Sequence, residues 1–266
     1  MNYFCVSDIH GYYDQLIDAL NEAGFDSNNP NHTLISCGDH FDRGPSPVAV
    51  LDFLQQLPRK VLLWGNHDEL LVNCCKRGFS YDFDMQNGTT KTIHQLASAY
   101  IQRNPNVHIS PPLDDYKIAP RMFAPFFQNF QDYFETNRYI FVHAWIPVEV
   151  KDDLPLHYMR DRQYSRHSDW RNASKEDWSQ ARWVNPFYMA KCRLQAEKYI
   201  VCGHWHCSTG WAAAEGRSEF GEDACFEIFD GDRFIAIDAC TAHTGTVNVF
   251  VVEDEPLSSN EMEAKK

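Results

Sequence analysis

Short clusters of aspartate, histidine and arginine recur along the chain, each directly after a run of apolar residues. The fullest cluster is segment 36–47, SCGDHFDRGPSP, in which two carboxylates, a histidine and an arginine fall within five residues. Its glycines and prolines are also typical of a surface turn, so this segment alone does not distinguish a solvated loop from a reactive site. The recurrence of the pattern is what indicates chemistry.

Seven side chains in these clusters are of types that bind divalent metals. Imidazole and carboxylate groups without thiolate suit manganese, iron, zinc or nickel. One ion needs fewer ligands, whereas two ions that share a carboxylate would use all of them, and two-metal sites recur in displacement at phosphorus. We therefore predict that the site binds two divalent metal ions, and we favour manganese over iron, zinc and nickel. The candidate ligands are Asp8, His10, Asp39, Asn66, His143, His204 and His206.

Five short strands, rich in β-branched and aromatic residues, are predicted immediately before these clusters. Two amphipathic segments between the first three strands, 12–23 and 47–57, are predicted helices. Strands that alternate with helices form a largely parallel sheet, and ligands gather beyond the carboxyl ends of its strands. The five loops should therefore converge. The predicted strands are 3–6, 33–36, 60–63, 138–142 and 198–201.

The last part of the chain has a different pattern. After Asp223, three strand-like runs are joined by turn residues, and we predict an antiparallel meander that completes a second sheet. Residues 74–136 and 144–195 are predicted to be helical insertions, and 256–266 a frayed polar tail. No segment resembles a linker, so we predict one α/β domain over residues 1–255.

Composition excludes several classes of protein. The 266 residues contain no run of about eighteen apolar residues and begin without a secretory signal, so we expect a cytoplasmic protein with no membrane partner. Nine scattered cysteines without a CxxC pair argue against a disulfide framework or a tetrathiolate zinc site. The formal net charge of −13 disfavours nucleic acid as a partner. The sequence does not indicate an oligomeric state.

Five motifs occur in a fixed order between Asp8 and His206: SDIHG, GDHFDRG, GNHDE, VH and GH. Together they resemble the signature of the calcineurin-like metallophosphoesterases. DRG and GNHDE resemble the phosphoprotein phosphatase branch, which includes bacterial and phage serine/threonine phosphatases and the symmetrical diadenosine tetraphosphatases. The resemblance implies an α/β/β/α sandwich of two mixed sheets flanked by helices. Ser7 stands where this branch commonly has glycine, and its small side chain should be tolerated.

The resemblance also implies how the metal ligands divide between two ions. Asp8 and His10 would bind the first ion, and Asp39 would bridge both. The second ion would have three further ligands, Asn66, His143 and His204. A metal-bridging hydroxide would then attack phosphorus directly, without a covalent phosphoenzyme.

Three residues close to these ligands receive catalytic roles from the same resemblance. His67, oriented and charge-stabilised by Asp42, would protonate the departing oxygen. Arg43 would clamp the phosphoryl oxygens, because its planar guanidinium matches their geometry and stays charged. Asn66 would contribute to substrate binding as well as to the metal centre.

Two assignments are less determined by the motifs. The family usually supplies a second phosphate arginine between its last two histidines, and the candidate here is Arg182, with Arg160 and Arg162 as alternatives. His206 extends the match to the GHxH form, whose second histidine would join the first metal, although a single GH is more usual in the phosphatase branch.

These residues predict a metal-dependent phosphoric ester hydrolase. The leading hypothesis is hydrolysis of phosphomonoesters, either phosphoserine and phosphothreonine in proteins or small phosphoesters. An alternative is hydrolysis of a phosphoanhydride in dinucleoside polyphosphates or nucleotides, which the same metals and His67 would serve. A third hypothesis, a non-catalytic scaffold with this fold, predicts eroded ligands, whereas the motifs are intact.

Overall fold

The first sheet is built from the strands that precede the first three motifs and from the last strand of the chain. In the computed structural model, which describes residues 1–107, 114–150 and 164–256, this sheet has the order β11-β1-β2-β3. β1, β2 and β3 are parallel, and β11 is antiparallel to β1. The strands are β1 (Asn2–Val6), β2 (His32–Ser36), β3 (Lys60–Leu62) and β11 (Phe250–Glu253).

The second sheet carries the strands that precede the last two motifs. Its order is β4-β5-β8-β10-β9, in which β5, β8 and β10 are parallel and the two outer strands are antiparallel to their neighbours. A separate two-stranded hairpin is formed by β6 (Val148–Val150) and β7 (Tyr164–Arg166). The five strands are β4 (Phe134–Glu135), β5 (Tyr139–Phe141), β8 (Tyr199–Cys202), β9 (Phe229–Gly231) and β10 (Phe234–Ala236).

The two predicted helices connect the strands of the first sheet. α1 (Tyr13–Glu22) buries Leu16 and Leu20, four residues apart on one face. α2 (Pro47–Gln56) begins at a proline, whose missing N–H has no helical partner at that position, and buries apolar residues at helical spacing. Both helices are confirmed, as are the five predicted strands, within about two residues at each end.

The other helices lie mainly in the two regions predicted as insertions. A 3₁₀ turn at Trp170–Asn172 accompanies those of the second region. None of the helices in the described part of the chain is long and apolar enough to cross a membrane. The helices are α3 (Asn66–Arg77), α4 (Asp82–Gln86), α5 (Thr89–Arg103), α6 (Asp115–Ile118), α7 (Pro120–Phe127), α8 (Lys175–Ala181), α9 (Pro186–Lys191), α10 (Ser208–Glu215) and α11 (Thr241–Thr244).

The two sheets face each other across an apolar layer, and helices cover their outer faces. The layer between the sheets joins residues of both, including Cys5, Ile35, Phe141, Val201 and Ile235. One outer cluster packs the first sheet against α1, α2, α3, α5 and α7, and another packs the second sheet against α8 and α9. The α/β/β/α sandwich of two mixed sheets is therefore confirmed.

The predicted meander after Asp223 is wrong in one respect. β9 and β10 form an antiparallel pair in the second sheet, but β11 pairs with β1 in the first sheet. The reason is that α11 follows β10 in place of a tight turn, and left-handed Gly245, with φ of 69°, ends this helix. The chain thereby reaches the other sheet. The predicted tail lies outside the described residues from residue 257 onward.

Candidate metal centre and active site

The predicted site residues converge because their loops leave the carboxyl ends of parallel strands in both sheets. Backbone hydrogen bonds join the loops: His10 N donates to Asp39 O at 2.9 Å, and Gly203 N donates to His143 O at 2.7 Å. The two sheets also meet through His204, whose backbone N–H donates to Asp8 Oδ2 at 2.9 Å. The loops therefore position one another.

Left-handed backbone is concentrated in these loops. Most non-glycine residues avoid positive φ, because the side chain then crowds the backbone. Such conformations persist where the surrounding structure over-determines them, and they cluster at functional sites. Of the eight such residues in the described chain, six lie at this site: Asp8, His10, Asp39, Arg43, His204 and Cys240.

Asp39 is fixed by the start of α3. Its Oδ1 accepts a hydrogen bond from the His67 backbone N–H at 2.9 Å, and its own N–H donates to Asp68 Oδ2 at 3.1 Å. Gly65 makes this approach possible, because a Cβ there would lie 2.1 Å from Asp39 Oδ1. Burial and the neighbouring Asp8 raise the pKa of Asp39, and His67 opposes that shift. A cation would compensate for the burial of this carboxylate.

Two groups of side chains could each hold a metal ion, and both include Asp39. One group consists of His10, Asp39 and His67, and the other of Asp39, His143 and His204. Within each group the ligand atoms lie within 4.8 Å of one another. A carboxylate common to both groups is the arrangement that a bridging ligand requires, so this donor set fits two ions.

The lone pairs of the second group point at one another. His143 Nδ1 donates to the Cys37 carbonyl at 2.8 Å, and burial lowers the pKa of His143, which leaves Nε2 as an acceptor. That nitrogen lies 2.7 Å from Asn66 Oδ1 and 3.5 Å from Asp39 Oδ1. Three acceptors that converge without a proton between them fit a cation, and the carbonyl partner of His143 is typical of a metal-binding imidazole.

His204 completes the second group. Its Nδ1 lies 3.1 Å from Asn66 Oδ1, and a ring N–H donates to the backbone carbonyl of Trp183. Burial lowers the pKa of His204 well below its usual value, with a smaller contribution from His143. A neutral imidazole is the form that binds metal.

Asp8 and His10 lie on the other side of Asp39. His10 Nε2 is 3.7 Å from Asp39 Oδ2 and 3.9 Å from Asp8 Oδ1. Burial, followed by the Arg43 charge, lowers the pKa of His10 well below its usual value. Ser7 is accommodated here as expected, and its hydroxyl donates to Asp8 Oδ2 at 2.5 Å. Asp8 Oδ1 is thus the oxygen that faces His10.

The predicted acid, His67, is itself a member of the first group, and its predicted partner Asp42 lies beside it. His67 Nδ1 is 2.9 Å from Asp42 Oδ2, and the same oxygen accepts a hydrogen bond from Thr89 Oγ1 at 2.5 Å. Arg43 reaches both imidazoles, with Nη1 2.9 Å from His10 Nε2 and Nη2 3.0 Å from His67 Nε2. The guanidinium therefore faces the same space as the first group of ligands.

Arg182 and His206 have other partners. The buried Arg182 guanidinium pairs with Glu69 and Asp132 and is not among the described lining residues of the cleft. His206 does line the cleft, but its Nδ1 is 2.8 Å from Ser208 Oγ, and it belongs to neither group of metal ligands. Both roles stay predictions. Of the alternatives to Arg182, residues 160 and 162 lie outside the described part of the chain.

The cleft that contains these groups has a volume of about 260 Å³ and includes residues that the motifs did not indicate. Asp238 follows β10 and is buried, and burial, then Asp8, raises its pKa well above its usual value. Asp238 directly follows the strand-like run RFIAI, so the strand-end pattern that indicated the candidate ligands could have indicated it as well. Thr89, which begins α5 and donates to Asp42, follows no predicted strand and had no such signal.

Aromatic side chains from both insertion regions form part of the cleft wall. Phe83 comes from α4 and Trp183 follows α8, and their ring centroids are 6.3 Å apart. Trp205, between the two histidines of GHWH, also lines the cleft. Both regions predicted as insertions therefore contribute side chains to the cleft wall.

This fold and donor set define the class of metal-dependent phosphoric ester hydrolases. Residues 1–208 match the family model of the calcineurin-like phosphoesterases, so the chain belongs to that family. The family has a dinuclear metal centre, for which the two groups that share Asp39 are the candidate site.

Curated relatives of this chain include nucleotide hydrolases. The chain is 24% identical over 217 residues, 77% of each protein, to an asymmetrical bis(5'-nucleosyl)-tetraphosphatase of Bacillus velezensis. It is 39% identical over 66 residues to the symmetrical bis(5'-nucleosyl)-tetraphosphatase of Proteus mirabilis, a match that covers 24% of this chain and 23% of that enzyme.

Solved structures support the fold. A protein serine/threonine phosphatase from Saccharomyces cerevisiae superposes with a TM-score of 0.50 at 13% identity, covering 97% of this chain and 81% of that one. At this identity the likeness concerns the fold alone.

Proposed function

We propose that this chain hydrolyses a phosphoanhydride bond in dinucleoside polyphosphates, the alternative hypothesis of the sequence analysis, with manganese as the metal. The observation that carries the proposal is the small volume of the cleft, about 260 Å³, together with its aromatic wall of Phe83, Trp183 and Trp205. A small cleft with aromatic side chains favours a small phosphate compound that carries a planar ring over a phosphorylated protein segment. The Bacillus relative, matched over most of both chains, supports the same substrate class.

Two metal ions, when bound, would supply positive charge to the phosphoryl group and lower the pKa of a water molecule. The residues of the chain would do the rest. Arg43 would hold equatorial phosphoryl oxygens, because its guanidinium faces the same space as His10 and His67. His67, held at Nδ1 by Asp42, would present Nε2 to the departing oxygen and protonate it.

Phosphomonoesters, including phosphoserine and phosphothreonine, are a second candidate substrate class. The observation that favours them is the buried hydrogen-bonded chain from Thr89 through Asp42 to His67. A serine or threonine alkoxide is a poor leaving group, and its departure depends on a proton donor that is held in place. The scaffold hypothesis has no comparable support, because the intact ligands converge on one cleft.

The test is hydrolysis, with added manganese, of a matched pair of substrates, diadenosine tetraphosphate and a phosphothreonine peptide, with p-nitrophenyl phosphate as a generic reference. Chromatography of the nucleotide products measures cleavage of the dinucleotide, and phosphate release measures cleavage of the peptide. We expect turnover of the dinucleotide and the aryl phosphate, with little turnover of the peptide. Turnover of the peptide without the dinucleotide would reject the phosphoanhydride proposal and favour the second candidate.

A further inference from the structure

A larger cavity adjoins the metal cleft. Its volume is about 980 Å³, near the upper end of the usual range for small-molecule sites, about 300–1,000 Å³. Its walls come from α9, α10 and the β9–β10 hairpin. Trp183 and Trp205 line this cavity and also line the cleft, so these two side chains belong to the walls of both spaces.

Aromatic rings form much of the wall. Phe187 and Phe229 lie with their ring centroids 5.7 Å apart, and both line the cavity. Gly210 of α10 permits this packing, because a Cβ there would lie 2.6 Å from ring atoms of both phenylalanines. Flat rings beside an open space are a suitable surface for a planar heterocycle, since stacking does not require a particular pattern of hydrogen bonds.

The cavity also has a cationic edge. Lys191 and Arg193 are exposed and line the cavity, although the chain as a whole has a formal net charge of −13. Asp232 is an acidic residue in the same lining. Two cations near aromatic walls favour a ligand that combines an anionic group with a planar ring.

We propose that this cavity binds a nucleoside and its adjacent phosphate while the phosphoryl group under attack lies in the metal cleft. This inference rests on the proposed function and adds to it the position of the nucleoside. Trp183 and Trp205, which belong to the walls of both spaces, would contact the part of the substrate that passes from the cavity to the cleft. An aryl phosphate is too short to use both spaces.

The test uses Ala213→Trp. Ala213 is exposed on α10 and lines the cavity, so an indole there fills the space from the solvent side without entering the core. We expect the ratio of kcat/KM for diadenosine tetraphosphate to kcat/KM for p-nitrophenyl phosphate to fall about tenfold, mainly through KM, as for loss of one stacked base. The matched control is Ala124→Trp, an exposed alanine on α7 that is not among the cavity's described lining residues.

An unchanged ratio in folded Ala213→Trp would overturn the proposal. A second measurement, calorimetric binding of ADP to the metal-loaded protein, separates it from the proposed function. ADP bound by the wild type and weakened about tenfold by Ala213→Trp, without hydrolysis of the dinucleotide, would support the cavity and reject the proposed function. Hydrolysis of the dinucleotide with equal KM in wild type and variant would support the proposed function and reject the cavity as the nucleoside site.

Discussion

The metal cleft and the neighbouring cavity differ in how their walls are held. In the cleft, polar side chains are buried and have second partners, as His143 has in the Cys37 carbonyl and Asp8 has in Ser7. In the cavity, aromatic rings from α9 and from the β9–β10 hairpin border an open space. We infer from this difference that the strand ends carry the chemistry, whereas the cavity wall can vary in sequence without disturbing them.

The largest expected effect is on the cleft side. We predict that Asp39→Asn removes both metals and lowers kcat/KM by about a thousandfold or more, because both groups of ligands share this carboxylate. Elemental analysis and aryl phosphate turnover measure the two losses. Asp254→Asn, a change at a buried aspartate bonded to Thr136, is the control and should keep its metal. An unchanged number of metal ions per molecule in Asp39→Asn would argue against Asp39 as the bridging ligand.

His67→Asn should separate proton donation from metal binding. Although His67 belongs to the first group, Asp8, His10 and Asp39 remain for one ion and Asn66, His143 and His204 for the other. We therefore expect metal to be retained while turnover of substrates with poor leaving groups falls about 10²–10⁴-fold. Comparison of a phosphothreonine peptide or dinucleotide with p-nitrophenyl phosphate measures the effect. An equal loss on the activated aryl phosphate would argue against the acid role.

Thr89→Val should have a smaller effect of the same kind. Thr89 donates to the Asp42 oxygen that holds His67, so we assign it a positioning role and expect about a tenfold loss on poor leaving groups. Thr89→Ser should restore activity. The control is Thr92→Val on the same helix, since the Thr92 hydroxyl contacts only backbone carbonyls at 3.4 Å. Equal losses of activity in Thr89→Val and Thr92→Val would argue against a positioning role for Thr89.

The smallest effect on chemistry is expected from the cavity wall. In Gly210→Ala the new methyl group would meet Phe187 and Phe229, so we predict a loss of about 1–3 kcal/mol in the free energy of unfolding. Aryl phosphate turnover per folded molecule should change little. Denaturant unfolding and steady-state kinetics measure both quantities. A large fall in turnover with unchanged stability would show that wall and metal centre are coupled.

The sequence predicted the cleft better than the cavity for a physical reason. The ligands follow parallel strands, and carboxyl ends of neighbouring strands meet whatever lies between them. Local patterns therefore suffice for Asp8, Asp39 and His143. The bond from Thr89 to Asp42 joins residues 47 apart in the chain, and it depends on how a helix packs, which no local pattern specifies.

The features of the fold that the sequence predicted wrongly or not at all also depend on tertiary packing. Strand β11 was predicted as a strand, but its partner depends on α11 and on the path of the chain after it. The cavity depends on how α9 and α10 pack beside the second sheet, and their apolar residues indicated only burial. Periodicity identifies elements, whereas partner choice is a tertiary property.

The pairing of β11 with β1 joins two strands that are far apart in the sequence. A fragment that ends at residue 208 contains every predicted metal ligand, yet β1 would become an edge strand paired only with β2, and Asp238 would be missing. During synthesis, β1 leaves the ribosome long before its partner β11. The loop that carries Asp8 and His10 must therefore wait for residues 250–253 before the strand beneath it is enclosed on both sides.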